Sequence, residues 1–180
     1  MRYDDGTSRI GADPFSTPVA ARDPVRRLRG RLASPVTVWT AFAPDGASVG
    51  LTVSSVLVAE GEPPELLGLL DPLSAFCEAV GVGGRFLVHV LTADQARTAE
   101  RFALRFPGDA FEGEAPVPTP WGPALPGVAT RAACTLRSST DVGYARLGRA
   151  GIDEIALDER SVRPLVYYRG TYLTAGPPQG

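Results

Sequence analysis

Few side chains in this sequence offer strong nucleophilic, acid–base or metal-binding chemistry. It contains one histidine, His89, two cysteines, Cys77 and Cys134, and no lysine. A serine or cysteine triad would have to be built around His89, but this residue lies in a strand-like run and no Gly-x-Ser-x-Gly turn occurs. The lack of lysine excludes Schiff-base and P-loop chemistry, and no paired His/Cys spacing indicates a zinc site. We therefore expect a cofactor to supply the chemistry of any enzyme built on this chain.

Two short segments carry polar groups that could hold a ligand. Thr52, Ser54 and Ser55 present hydroxyls within a strand-like run. Asp71-Pro72-Leu73-Ser74 stands at the start of a predicted helix, whose first N–H groups suit a phosphate. Structural roles explain the same residues, because Thr and Ser are common in strands and hairpins and Asp-Pro is an ordinary helix cap. On residue types alone, we weight the structural roles above ligand binding.

Composition indicates one soluble domain without a polyanionic partner. The chain has 180 residues, of which 44% are hydrophobic and 21% charged, and its net charge is −2. That is enough for one core and gives no electrostatic reason to bind nucleic acid or an anionic membrane. We interpret both cysteines as buried thiols, because a secreted disulfide scaffold would use more of them. No signal-peptide pattern and no apolar run of about 20 residues occurs, so we expect a cytoplasmic protein.

The pattern of the chain predicts a domain at 23–175, between a flexible N-terminal arm at 1–22 and a C-terminal tail at 176–180. Three helices are predicted, at 24–34, about 73–82 and 92–104. Strands are predicted, in chain order, at 36–43, 47–59, 66–70, 85–91, 128–137, 142–149, 151–158, 165–168 and 170–174. Residues 107–126 have no periodicity and are expected to form a long loop.

These elements predict a mainly β fold with α insertions. Runs of strands with few helices between them do not match the regular alternation of a parallel α/β sheet. A small antiparallel barrel fits better, because closing the sheet removes its exposed edges. Gly50, inside the second strand, indicates a bulge or a close backbone approach.

Four segments occur along the chain in a characteristic order: Val36-Thr37-Val38 with Gly50–Ser55, Glu62-Pro63-Pro64 with the strand after it, Gly84–Leu91, and Pro164–Gly170. In this order and spacing they resemble the flavin reductase family. No single motif carries the resemblance, which spans about residues 24–173. The surroundings of Trp121-Gly122-Pro123 resemble an actinobacterial-type branch of the family.

The resemblance implies an FMN-binding split β-barrel, a Greek-key-like antiparallel barrel that forms a homodimer with the flavin between protomers. FAD is the alternative flavin. The flavin-binding residues that it implies are Thr52, Val53, Ser54, Ser55, Asp71, Ser74, His89, Tyr168 and Arg169. Residues 52–55 would line the ring and ribityl chain, and Asp71 and Ser74 would meet the phosphate end. Core packing is an equal alternative for His89, and a salt bridge is the preferred alternative for Arg169.

The sequence departs from the family pattern at two places. Many relatives carry a Gly-Asp-His segment, associated with nicotinamide binding, where this chain has Ser138–Tyr144. Several relatives place a basic residue after the serine of the Asp71–Ser74 turn, where this chain has Ala75. The electron donor and the phosphate contacts therefore stay open at this point.

The function implied is that of an NAD(P)H-dependent flavin reductase that supplies reduced flavin to a partner monooxygenase. Hydride passes from nicotinamide to flavin without a side-chain acid or base, which suits a chain with one histidine. The missing Gly-Asp-His segment suggests a non-catalytic flavin-binding or redox module as an alternative. A split-barrel oxidoreductase that uses a deazaflavin is a third candidate, and an interaction domain without a ligand is a fourth.

Overall fold

Short strands and shorter helices make up the computed structural model, which describes residues 9–10, 23–103, 109–160 and 163–176. The strands are β1 (Arg9–Ile10), β2 (Ser34–Pro35), β3 (Thr37–Phe42), β4 (Ser48–Val53), β5 (Val56–Ala59), β6 (Glu65–Leu70), β7 (Arg85–Val90), β8 (Val117–Thr119), β9 (Gly122–Ala124), β10 (Arg131–Val142), β11 (Ala145–Ala156), β12 (Leu165–Tyr168) and β13 (Thr171–Thr174). The helices are α1 (Pro24–Arg29), α2 (Ala75–Ala79) and α3 (Ala96–Phe102). The predicted mainly β fold with α insertions is confirmed.

The main sheet closes on itself through the connection between two consecutive strands. Its seven strands run in the order β4-β3-β7-β10-β11-β6-β5, and all neighbours are antiparallel. The two edge strands, β4 and β5, are separated only by Ser54 and Ser55, so the sheet must curve until its edges meet. The Leu69 N–H donates to the Ser55 carbonyl at 3.0 Å at this point. The result is a barrel that is split at Ser54 and Ser55.

A tryptophan fills the barrel from one wall to the other. Trp39 on β3 is 1% exposed and stacks on Phe86 with ring centroids 5.0 Å apart. Its far edge reaches β6, where a Cβ on Gly68 would lie 2.5 Å from the Trp39 Cη2 atom. Only glycine therefore leaves room for the indole at this position of β6.

Helix α3 covers the outside of β4. Ala96, Ala99 and Phe102 form the buried face of this helix. The Phe102 ring would lie 2.5 Å from a Cβ on Gly50, so the glycine inside β4 marks a close approach, one of its two predicted meanings. A second sheet, in the order β1-β13-β12-β2, joins the two ends of the described chain.

The structure corrects several predicted boundaries. The predicted strand at 47–59 is two strands, and the three strands predicted at 128–158 are the two twelve-residue strands β10 and β11. Their hairpin turn is Gly143-Tyr144, with φ of 59° at the glycine, so the polar residues before it continue the strand. The predicted loop at 107–126 contains the hairpin β8–β9.

The first helix is also shorter than predicted. Helix α1 ends at Arg29, and three apolar residues in the predicted range 24–34 are exposed, namely Val25, Leu28 and Leu32. Both cysteines are free thiols, and burial raises the pKa of Cys134 to about 12. Most of the predicted arm and tail lies outside the described residues, although Arg9–Ile10 pairs with β13. No helix in the described ranges is long and apolar enough to cross a membrane.

Candidate functional site

An open apolar cavity of about 350 Å3 lies at one end of the barrel. We call it the barrel-mouth cavity; its walls come from β2, β3, β5, β6, β7, β10 and β11, and from the residues that flank the last two strands. The lining residues are Pro35, Thr37, Val56, Val58, Leu66, Val88, Val90, Thr130, Arg131, Ala132, Ile152, Ile155 and Leu157. A largely apolar cavity with a few polar groups at its edge is the usual form of a site for a flat organic ligand.

The split of the barrel lies beside this cavity. Ser54 and Ser55 are half-buried, and Val56, which follows them, lines the cavity. Neither serine hydroxyl makes a hydrogen bond to any residue that the structure describes. Two hydroxyls are thus available to a ligand at the place where the sheet ladder is interrupted.

The two residues before the split have structural contacts. The Thr52 hydroxyl donates to the Ala99 carbonyl at 2.7 Å, which ties β4 to α3. Val53 is buried in the barrel core, and its carbonyl accepts from the Thr37 hydroxyl at 2.6 Å. Thr37 also accepts from the Trp39 indole N–H at 3.0 Å. These bonds fix the backbone that presents the free serines.

Ser74 acts as a helix cap in the structure. Its hydroxyl is buried, donates to the Asp71 carbonyl at 2.7 Å and accepts from the Cys77 N–H at 3.3 Å. The Asp71 carboxylate accepts from the Leu73 N–H at 2.9 Å, which closes the turn before α2. Both side chains therefore carry local bonds, which the structural interpretation of this segment expected.

His89 lies fully buried between β3 and the segment that follows β9. Its Nε2 accepts from the Leu125 N–H at 3.1 Å, so the ring proton is on Nδ1, which donates to the Val38 carbonyl at 3.1 Å. Burial lowers the pKa of His89 to about 4. Both ring nitrogens are occupied by backbone groups, as the core-packing alternative expected.

Tyr168 and Arg169 lie at the turn between β12 and β13. Arg169 has φ of 52°, a left-handed conformation that is rare for a residue other than glycine, and Gly170 follows with φ of 86°. The Arg169 N–H donates to the Gly30 carbonyl at 2.7 Å, and its guanidinium lies 5.3 Å over the Tyr168 ring. Among the described residues this guanidinium has no carboxylate partner.

The predicted site residues are thus only partly brought together. Ser54 and Ser55 directly precede Val56, which lines the barrel-mouth cavity, whereas Thr52, Ser74 and His89 are hydrogen-bonded within their own surroundings. The apolar lining was not among the predicted site residues. The run Val56-Leu57-Val58 was a signal for it. A strand that is apolar on both faces packs one face on the core and needs a ligand or another chain to bury the other.

The sequence model of a protein family, described as the flavin reductase like domain, matches residues 29–176 of this chain. This chain belongs to the flavin reductase family. The predicted resemblance is confirmed, and the match covers the split barrel and the second sheet apart from β1.

Relatives of this flavin reductase family member come largely from actinobacteria. The reductase subunit HsaB of a flavin-dependent monooxygenase from Rhodococcus jostii (strain RHA1) is 35% identical over 156 residues, 84% of this chain and 77% of that protein. The NADH:riboflavin 5′-phosphate oxidoreductase of Streptomyces pristinaespiralis is 28% identical over 171 residues, 93% of this chain and 96% of that protein. The crystal structure of nitrilotriacetate monooxygenase component B from Mycobacterium thermoresistibile superposes with a TM-score of 0.75 at 29% identity, and covers 87% of this chain and 90% of that one. The split-barrel fold is confirmed.

Proposed function

We propose that this chain is an NAD(P)H-dependent flavin reductase, with FMN as its flavin and FAD as the alternative, and that it supplies reduced flavin to a monooxygenase. The observation that carries the proposal is the barrel-mouth cavity together with the unbonded hydroxyls of Ser54 and Ser55, which directly precede the lining residue Val56. Family membership supports it. The relatives named as a monooxygenase reductase subunit and as an NADH:riboflavin 5′-phosphate oxidoreductase support the donor and the partner.

The residues present fit a flavin. An apolar lining suits the ring, and the cavity offers one that includes Val56, Val88 and Ile152. The ring edge and ribityl chain need polar partners, which Ser54 and Ser55 offer. Acceptance of hydride from a reduced nicotinamide is the chemistry that a bound flavin supplies. The chain's own part is to bind the ring, orient it and exclude water.

The rim of the cavity supports a homodimer. The rim residues Val58, Ile155 and Leu157 line the cavity and are 64%, 60% and 66% exposed. Clustered exposed apolar side chains of this size mark an interaction surface. A second copy placed over this rim would cover the apolar residues and the open side of the cavity, in a cytoplasmic homodimer.

Anaerobic mixing with NADH and with NADPH tests the reductase activity. The protein loaded with FMN is expected to lose its flavin absorbance with at least one of the two donors. Binding of FMN without bleaching by either donor would reject the reductase function and favour a non-catalytic flavin-binding module. The absence of Gly-Asp-His at Ser138–Tyr144, where Tyr144 is fully exposed at the hairpin turn, is the observation that favours this second candidate.

A further inference from the structure

A second cleft, of about 210 Å3, lies on the outer face of the β10–β11 hairpin. We call it the Trp121 cleft. Ala133 and Glu154 are paired in register and line it, whereas the neighbouring pair Ala132 and Ile155 lines the barrel-mouth cavity. Adjacent pairs of an antiparallel ladder point to opposite faces, so the two spaces lie on opposite faces of the hairpin. They meet at its end, where Arg131 and Ile155 line both.

The indole of Trp121 is held in place in this cleft. Its Nε1–H donates to the Asp153 carboxylate at 3.0 Å, and the Thr135 hydroxyl donates to the same oxygen at 2.6 Å. Asp153 is the extra residue at a register shift of β11, an irregularity that often redirects a side chain. The Arg85 guanidinium lies 5.7 Å from the ring centroid of Trp121. Asp153 and Arg85 thus contact the half-buried indole directly, and Thr135 holds the Asp153 carboxylate.

Two opposite charges line the same cleft without pairing. Arg131 and Glu154 are both lining residues, and neither forms an ion pair with any described residue. A cation and an anion in one cleft, too far apart for an ion pair, suit a ligand with an acceptor group at one end and a donor group at the other. The fixed indole adds a surface on which a planar base can stack.

We propose that the Trp121 cleft binds the adenosine 5′-phosphate end of a dinucleotide, an inference that rests on the proposed reductase function. The base stacks on Trp121, its exocyclic amino group donates to Glu154, and the phosphate pairs with Arg131. NADH and FAD share this chemical group, whereas FMN lacks it. The position of Arg131 at both spaces places the phosphate between the cleft and the barrel-mouth cavity.

Tryptophan fluorescence with AMP as the probe tests the cleft without any turnover. The chain has two tryptophans, and Trp39 is buried in the barrel, so a change in emission on adding AMP reports on Trp121. We expect saturable quenching by AMP, lost in Trp121→Phe and weakened about tenfold or more in Arg131→Gln. Arg97→Gln is the matched control, because Arg97 is exposed on α3, away from the cleft.

Each outcome decides the proposal. The proposal is overturned if AMP at millimolar concentration does not quench the tryptophan emission. It is also overturned if Arg131→Gln binds AMP as tightly as Arg97→Gln does. Glu154→Gln is expected to weaken AMP binding while Glu60→Gln, at an exposed loop glutamate, does not. Circular dichroism of each variant verifies that the fold is retained, so a lost signal reports on the cleft.

Calorimetry separates the two sources of the adenosine phosphate. NAD+, FAD and FMN are titrated into the parent protein, Arg131→Gln and Trp121→Phe. If the two variants bind NAD+ more weakly and FAD with unchanged affinity, the cleft belongs to the electron donor. If they bind FAD more weakly and NAD+ with unchanged affinity, the cleft belongs to the flavin. An equal loss of affinity for FMN, which lacks the adenosine phosphate, overturns the proposal. Bleaching of FMN by NADH is a separate readout, so a failed reductase function with intact AMP binding is distinguishable from a failed cleft.

Discussion

The indole of Trp39 and the backbone of Gly68 touch across the interior of the barrel. The two residues belong to β3 and β6, which are not neighbours in the sheet, and the space for a Cβ on Gly68 is taken by Trp39. This contact spans the barrel from wall to wall, so it sets the separation of the two strands. Any atom added at Gly68 must displace the largest buried side chain of the core.

Gly68→Ala is expected to lower the free energy of unfolding by about 1–3 kcal/mol, because overpacking forces side chains and backbone to shift. Urea unfolding followed by tryptophan fluorescence measures the change. Gly148→Ala is the matched control, since the nearest atom to its added Cβ is a Leu136 methyl at an ordinary 3.4 Å. If Gly68→Ala and Gly148→Ala have equal free energies of unfolding, the contact between Trp39 and Gly68 does not constrain the barrel.

The stability of the protein is expected to fall as the pH drops from about 6.5 to about 4. The pKa of His89 is lowered from 6.5 to about 4 in the folded state, so the unfolded chain binds a proton in this range and the folded chain does not. The stabilisation is fully present above pH 6.5, and about 3 kcal/mol is lost by pH 4. Urea unfolding at several pH values measures the slope.

His89 can be observed directly, because it is the one histidine in the sequence. Its imidazole proton resonance is expected to stay unchanged between pH 7 and 5. Titration of this resonance near pH 6.5 would contradict the buried, doubly bonded ring.

Ser54→Ala and Ser55→Ala are each expected to weaken FMN binding by about threefold to tenfold, the usual effect of one lost hydrogen bond. Neither change should lower stability, because the hydroxyls have no partner among the described residues. Calorimetric titration with FMN and urea unfolding measure the two effects. The matched control is Thr52→Val, which removes the bond to Ala99 and should cost about 1 kcal/mol of stability with little change in affinity. Unchanged FMN affinity in the double serine variant would reject the site.

Val58→Asp and Ile155→Asp are each expected to weaken the proposed homodimer at least tenfold, since each places a charge in the apolar rim of the barrel-mouth cavity. Sedimentation velocity over a concentration series measures the dimer constant. Leu73→Asp serves as the control, because Leu73 is also exposed but does not line the cavity. A dimer that survives both rim variants and not the control would place the interface elsewhere.

Local pattern was enough to predict most of the barrel strands. Leu66–Leu70 is a continuous apolar run and Leu165–Tyr168 an apolar and aromatic run, and both form strands at those positions. Asp23 before Pro24 is a residue order typical of a helix start, and the Asp23 carboxylate caps α1 by accepting from the Val25 N–H at 2.7 Å. In each case the signal lies within a few neighbouring residues.

Other features depend on partners that are distant in the chain. The polar run before Gly143 continues as a strand because β11 offers it a ladder, which no local propensity reveals. His89 bonds to Leu125, 36 residues away, so its role could not be decided from the strand around it. A serine before a helix, such as Ser74, can either cap the helix or bind a phosphate, so its residue type does not decide its role. Only the observed hydrogen bonds of Ser74 show that it caps α2.

The different surroundings of the two thiols give the protein a natural reporter of its own unfolding. Cys134 is sealed in the core with its pKa raised to about 12, so almost none of it is thiolate, the form that alkylating reagents attack. Cys77 is half-buried. An intact molecule can therefore acquire one label at most, whereas each molecule that opens acquires two, and mass spectrometry can count opened molecules without an engineered probe.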